Sequence, residues 1–441
     1  MAYYILNSYK LKISPFEIFK ALKNERNCFF LDSSLNSRYS LGRYSFLGID
    51  PFYILQTKNQ NPFDKLRWEL EKYRIPAHKR GLPLLGGAVG YLGYDYDLGI
   101  PDCHFAFYNT VIIIDNLKKM LYICATGFPE RSYHLAKSLC GFNLKKIHKL
   151  LSKVNPHNAH NKENKPRGNP IKLESNFSRK GYISAVNKAK QYIRKGDIYQ
   201  VNLSQRFQAE TGLSGFQIYK RLRRLSPSYF SAYLDCGGFQ ILSSSPERFL
   251  SLNGNVVTTR PMKGTRPRSK NRLKDQRLKN ELLRSAKDAA ELMMIVDLER
   301  NDLGRVCRYD SIKVDALREI EEYSTVFQTT ATVSGCLHKD KDRIDLLRAS
   351  FPGGSITGCP KIRAMEIIKE LEPNRRSIYT GSLGYLSFSG DMDFNILIRT
   401  ILKKGNELYF GVGAGIVADS KPEDEYEETL VKARAMTEAI S

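Results

Sequence analysis

The 441-residue sequence has no run of eighteen apolar residues, so no stretch of it is suited to cross a bilayer as a helix. Its opening residues, MAYYILNSYKLKIS, lack the long apolar segment and small-residue cleavage site of a secretory leader. A cytoplasmic location and no membrane partner are therefore expected. The eight cysteines form no C-x-x-C pair and no Cys/His grouping of zinc-site spacing, and are read as reduced, mostly buried small side chains. Histidine is scarce: of seven, only His338 lies beyond residue 176, so acid–base work there falls to Glu, Lys or Tyr. Phosphate motifs are also missing. In GVGAGIVADS, Gly411 to Ser420, the third glycine comes too early for G-x-G-x-x-G, and β-type residues follow it. In FPGGSITGCPK, Phe351 to Lys361, Cys359 and Pro360 occupy the P-loop Lys and Ser/Thr positions. Tight turns are the plain reading of both. Pro360 nevertheless suits a first helical turn, which leaves the preceding amides able to face an anion.

What is present is a hydrophobic content of 42%, enough for a large core in one intertwined domain or two ordinary ones. Basic residues outnumber acidic ones 69 to 46, a formal charge of +23. They are spread along the chain, with clusters such as RPRSKNRLKDQRLKN and no nucleic-acid-binding signature. A solvated surface is the simpler reading and no nucleic-acid partner is expected, although such a field also attracts small anionic substrates. The Asn-, Pro- and Lys-rich stretch 153–176 is a linker or surface loop between an N-terminal region, 1–152, and a C-terminal region, 177–441. Helical patterns (GYISAVNKAKQYIRKG, LKNELLRSAKDAAELMMIVDLERND, CPKIRAMEIIKELEP, EDEYEETLVKARAMTEAI) alternate irregularly with β-rich runs (DIYQVNLSQRFQAE, FQILSSS, NVVTTR, FNILIRTILKK, ELYFGVGAGIVA). The fold class is mixed α/β of the α+β type, with antiparallel sheets flanked by helices.

Acidic pairs carry the first chemical signal. Asp288 and Glu291 stand i,i+3 on one expected helix and Glu425 and Glu428 on another, so each presents two carboxylates on one face. Two such faces brought together suit a hard cation of the Mg²⁺ kind, which takes one or two carboxylates and keeps room for substrate oxygens. Read alone, the pattern favours plain surface pairs, Glu428 with Lys432 at i+4 and Asp288 with nearby lysines. Glu247 in SSSPERF is a candidate acid at a strand end, and Lys263 in TTRPMKGTRPRS is a lysine framed by turn residues.

The stretches DIYQVNLSQRF, SSSPERF, TTRPMKGTRPR, AELMMIVDLERNDLGRV, FPGGSITGCPKIRAMEII, YTGSLGYLSFSGDMDFNILIRT and GAGIVADSKPEDEYEETLVKA occur in this order, and together they resemble the chorismate-utilising enzymes. The similarity is detailed from about Gly181 onward and looser in LDSSLNSRYSLGRYSFLGIDP and GGAVGYLGYD. It implies two antiparallel sheets packed as a sandwich with outer helices, a Mg²⁺-dependent site and chorismate as substrate. It also implies roles. Glu291 and Glu428 would hold the metal, with Asp288 and Glu425 around it. Tyr379, Arg399, Gly413 and Lys432 match groups that hold the substrate carboxylates, and Gln200, Gly264, Thr265 and Ser355 complete the substrate set. Glu247 matches the acid that protonates the departing C4 hydroxyl. In relatives a pocket in the N-terminal part binds tryptophan between segments like CFFLDSS and SPSYFSAYL, and both depart here from the regulatory pattern.

Two positions point to a branch. Isochorismate and salicylate synthases carry a water-activating lysine where this chain has Gln200, which favours ammonia as nucleophile. Anthranilate synthases show alanine at the position of Lys263, whereas the aminodeoxychorismate synthases similar to this chain show lysine. The resemblance thus implies a large subunit of aminodeoxychorismate synthase, with Lys263 as a covalent nucleophile. Gln328 replaces a histidine that the anthranilate branch uses in eliminating pyruvate. No glutaminase elbow of the G-x-C-x-G type occurs, so ammonia is expected from a partner glutamine amidotransferase or from solution. Anthranilate synthase component I is the alternative within the family, and a basic nucleic-acid-binding protein the one outside it.

Overall fold

In the computed structural model the chain is described over residues 3–35, 41–76, 81–154, 171–323 and 326–441; most of the expected linker, 155–170, lies outside these. Among the described residues every strand pairing is antiparallel. The strands form a twelve-stranded and a ten-stranded sheet. Strand Thr110–Asp115 illustrates why the sheets stack. Its β-branched run is buried throughout, with Val111 and Ile113 in a core shared by both sheets. Ile112 and Ile114 face the opposite way, into a second core beneath helices Pro15–Leu22, Tyr133–Leu151, Gly215–Leu225 and Pro422–Ile440. Helices Arg179–Arg194 and Lys361–Leu371 cover a third cluster at the end of the twelve-stranded sheet. The expected α+β sandwich with outer helices is what forms. Six of the eight cysteines are buried and all are unpaired, and no helix among the described residues is long and apolar enough to cross a membrane.

Residues before and after the linker contribute to both sheets. Strand Phe29–Asp32 pairs with Phe230–Asp235 in the larger sheet, and Gly87–Leu92 with Ser382–Ser387 in the smaller. A cavity of about 370 Å³ is lined by both segments, including Asp32, Ser33, Arg43, Tyr229 and Arg248.

Three features differ from the sequence reading. The single helical pattern Leu278 to Asp302 is two helices, Arg272–Arg284 and Ala286–Gly304, because Ser285 leaves helical geometry and its Oγ accepts the Asp288 amide at 3.2 Å as an N-cap. Asp288 and Glu291 therefore stand near a helix N-terminus, where the dipole favours negative charge. The run FNILIRTILKK is two strands, Met392–Ile396 in the ten-stranded sheet and Thr400–Lys404 in the twelve-stranded one. Pro360 caps helix Lys361–Leu371 from outside its first turn.

Candidate active site

Two crossovers between the sheets lie side by side. One runs from strand Gln240–Ser245 to Arg248–Asn253 and carries Glu247; the other is the Leu397–Arg399 link. Backbone bonds tie them, Ile396 N to Glu247 O at 3.1 Å and Ser244 N to Arg399 O at 3.1 Å. Arg399 has φ of 51°, a left-handed conformation that costs a non-glycine residue energy and is found where surrounding structure over-determines it. Glu247 is 5% exposed. Burial raises its pKa, against the opposing pull of the Ser355 hydroxyl, Lys263 and Arg399. Burial lowers that of Arg399, against the fields of Tyr323 and Glu247.

Lys263 enters from strand Met262–Pro267, whose pairing with Val326–Cys336 slips between Lys263 and Thr265. Gly264 makes this bulge at φ 70°, and an added Cβ would approach Leu282 and Asp288 within about 3 Å. Glycine is thus required by backbone and space together. The Lys263 Nζ donates to the Ser355 carbonyl at 3.4 Å. Its pKa is lowered by burial, with Glu291 opposing, Lys432 adding to the drop, and Glu247 and Glu428 opposing. Thr265 is exposed beyond the bulge and accepts a bond from Gln328 Nε2 at 3.4 Å.

The glycines of strand Glu407–Ile416 form the floor. Gly411, Gly413 and Gly415 share one face by the two-residue repeat, while Phe410, Val412, Ala414 and Ile416 are buried in the cores. A Cβ on Gly411 would strike the Tyr379 ring at 2.3 Å, and one on Gly413 would meet Asn202 Oδ1 at 2.5 Å and Tyr379 Oη at 3.0 Å. A Cβ on Gly415 would lie 2.8 Å from Gln200 Nε2 and 3.5 Å from Lys263 Nζ. This explains a glycine motif that fails as a phosphate cradle. Lys432 Nζ donates to Gly413 O at 2.8 Å and pairs with Glu428 at 2.7 Å. Several buried polar atoms around the floor have no protein partner: both amide atoms of Gln200, Asn202 Oδ1 and Gln328 Oε1. Buried groups of this kind cost stability unless something pairs with them.

The amides expected to face an anion before Pro360 are partly taken. Gly354 N donates to Glu299 Oε1 at 3.2 Å, and Gly358 and Cys359 pair with Val201 and Gln200.

The two acidic faces lie within each other's field. Burial raises the pKa of Glu291, and Asp288 and Glu428 raise it further, while Lys263 and Lys287 oppose. Burial also acts to raise Glu428, but Lys432, Lys263 and Lys287 outweigh it and the net shift is downward. Glu425, 7% exposed, is raised by burial against a bond from Ser420, with Glu428 adding to the rise. Asp288 is paired with Arg266 at 3.2 Å. Among the described residues no three His, Cys, Asp or Glu side chains form a ready metal cage. The donor set still fits Mg²⁺, which needs only one or two carboxylates and completes its octahedron with water and substrate oxygens. Glu291 and Glu428 are carboxylates from separate helices within each other's field.

Bonds, close approaches and fields thus join Gln200, Glu247, Lys263, Glu291, Ser355, Tyr379, Arg399, Gly413, Glu428 and Lys432 in one basin, while Thr265 is exposed beyond it and Asp288 is held by Arg266. Others were missed in the sequence. Asn202 stands two residues after Gln200 on the same strand face, so alternation alone could have found it. Arg376 and Glu299 are buried charges and the Glu372 side chain is nearly so, and only the i,i+3 pair Glu299 and Asp302 left a pattern.

A family model described as chorismate binding enzyme matches residues 26–438. The chain belongs to this chorismate-binding family. Anthranilate synthase component 1 of Acetivibrio thermocellus is 39% identical over 97% of this chain and 92% of its own length. Aminodeoxychorismate synthase component 1 of Bacillus subtilis is 37% identical, covering 90% of this chain and 89% of its own. A crystal structure of anthranilate synthase component I from Streptococcus pneumoniae superposes with a TM-score of 0.77 at 33% identity, covering 91% of this chain and 93% of that one. The family's chemistry on chorismate suits a basin holding lysine, arginine and unpartnered amide groups.

Proposed function

We propose that the chain is the chorismate-aminating large subunit of an aminodeoxychorismate synthase, converting chorismate and ammonia to 4-amino-4-deoxychorismate on the route to p-aminobenzoate and folate. The observation that carries this reading is Lys263: its amine lies over Gly415 and on the Ser355 carbonyl with a lowered pKa, as a nucleophilic amine needs. In the proposed cycle the Lys263 nitrogen bonds to C2, both ring double bonds shift toward C4, and the C4–O bond breaks. Glu247 gives the departing hydroxyl its proton, a task suited to a buried carboxyl of raised pKa. Ammonia then bonds to C4, both double bonds shift back, and the C2–N bond to Lys263 breaks. Arg399 and Lys432 pair with the substrate carboxylates, with Tyr379 beside them. Glu291 and Glu428 would hold Mg²⁺, with Asp288 and Glu425 around it; when bound, the ion neutralises carboxylate charge. Gln200, an amide in the place of a base, leaves water unactivated.

Ammonia would come from a partner glutamine amidotransferase subunit in the cytoplasm. A second reading, anthranilate synthase component I, has support in the names of several relatives. It is disfavoured by Lys263. Chromatography of the product from chorismate, Mg²⁺ and ammonium separates the two. Anthranilate as the main product would overturn the first reading.

A further inference from the structure

The turn Gly354–Ile356 touches both reacting side chains of the proposed cycle. The Ser355 carbonyl accepts from Lys263 Nζ, and the Ser355 hydroxyl interacts with the Glu247 carboxylate. We propose that Glu299 and Arg376 are positioning residues that clamp this turn at its two ends and so set where Lys263 and Glu247 meet the substrate. The inference rests on the reading of the site given above.

At the first end, Glu299 is 3% exposed, and its Oε1 accepts from Gly354 N at 3.2 Å. Its Oε2 accepts from Thr259 Oγ1 at 3.3 Å, joining the turn to the strand that leads into Lys263. At the other end, Arg376 is 4% exposed. Its Nη1 donates to Ile356 O at 3.0 Å and to Thr380 Oγ1 at 3.2 Å, beside Tyr379. Its Nη2 donates to Asn202 O and to Glu372 Oε1, both at 2.6 Å, and its Nε to Glu372 Oε2 at 2.9 Å. One guanidinium thus links the Gln200 strand, the Ser355 turn and the Tyr379 segment. Burying a charge is costly, and packing alone would be met by apolar residues. What charged groups add is strong, directional bonds to backbone groups that would otherwise be buried unpaired. The packing is close as well, since a Cβ on Gly354 would meet Leu298 at 2.7 Å. Burial raises the Glu299 pKa to about 7, with Asp302 and Glu247 adding and Lys361 and the Gly354 amide opposing.

The test compares Glu299→Ala, Glu299→Gln and Arg376→Lys with wild type. It reads kcat and KM for chorismate consumption, and amide hydrogen exchange over residues 353–358. Glu299→Ala is expected to lower kcat on the order of a hundredfold, the scale of a displaced catalytic group, with KM changed little and the Gly354 amide exchanging faster. Glu299→Gln should restore protection and most of kcat, since its amide oxygen still accepts from Gly354. Arg376→Lys should lose kcat and protection, because an ammonium cannot serve Ile356, Asn202 and Glu372 at once. Wild-type kcat in either Glu299→Ala or Arg376→Lys would overturn the clamp. A Gln variant as slow as Ala would also overturn it, making Glu299 a proton-transferring group. Should Glu299→Ala not fold, Arg376→Lys and the exchange data of Glu299→Gln decide. Product identity is read in the same reactions. A different product from wild type would sink the aminodeoxychorismate reading while leaving the clamp to stand or fall on kcat and exchange.

Discussion

The basin around Lys263, built from residues after the linker, and the cavity around Asp32, lined from both sides of it, are both rich in charged and polar groups, yet they treat those groups in opposite ways. In the cavity, charges are matched. Arg248 makes two bonds to Asp393 at 2.9 and 2.8 Å, Arg43 two to Asp115 at 3.0 and 2.7 Å, and Arg223 holds Asp32 at 2.5 Å, leaving only the other Asp32 oxygen without a partner. In the basin, Gln200, Asn202 and Gln328 hold buried amide atoms with no partner, and Lys263 reaches only a carbonyl at 3.4 Å. Matched charges hold strands together. Unmatched amide groups are a standing cost unless a ligand or water pairs with them.

The comparison predicts that basin substitutions cost turnover and that cavity ion-pair substitutions cost stability. The largest effect is expected for Lys263→Ala. Its kcat should fall roughly a thousandfold or more while the melting temperature holds, because a side chain without an amine forms no adduct. Intact-mass analysis of wild type with chorismate and no ammonia should find the adduct. Wild-type turnover in Lys263→Ala would leave that lysine an electrostatic neighbour only.

Next in size, Glu291→Gln and Glu428→Gln should each lower activity on the order of a hundredfold or more and weaken the dependence on added Mg²⁺. Isothermal titration with Mg²⁺ checks this apart from turnover. Full activity of either variant in strong chelator removes the metal from the reaction.

On the stability side, Arg248→Met should cost about 2 kcal/mol, because the partly buried Asp393 loses both of its bonds to the guanidinium. Urea unfolding measures this, and a loss below about 1 kcal/mol would mean that solvent reaches the pair. The smallest effect concerns acid. His104 is fully buried and stacked on Tyr91, and burial lowers its pKa to about 4. The unfolded chain binds its proton near pH 6.5, so the unfolded state gains protons first as pH falls. Stability is complete above about pH 6.5 and drains away toward pH 4, by about 2 kcal/mol at pH 5. His104→Phe should flatten that slope in unfolding curves taken between pH 7 and 5.

Legibility varied with the range of the interaction that mattered. Helix Pro422–Ile440 and strand Gln200–Glu210 were readable because their apolar periods are local properties. The Ser285 break was hidden by an apolar pattern that continues across it, and only the cap shows that the pattern changes helix. The FNILIRTILKK run looked like one strand because a change of sheet leaves no mark in β propensity.

From sequence alone came the mixed α/β class with antiparallel sheets, the acidic i,i+3 pairs, the turn around Lys263 and, through seven motifs in order, the family. These depend on periodicity, turn chemistry and motif order along the chain. Tertiary structure alone decided that Glu247 and Arg399 occupy adjacent crossovers, that alternate glycines clear a floor for Tyr379, Gln200 and Lys263, and that Glu299 and Arg376 grip one turn. The physical reason is that pairing register and sheet exchange are set by contacts between residues far apart in the chain, as when Asn202 and Arg376 meet across 174 positions.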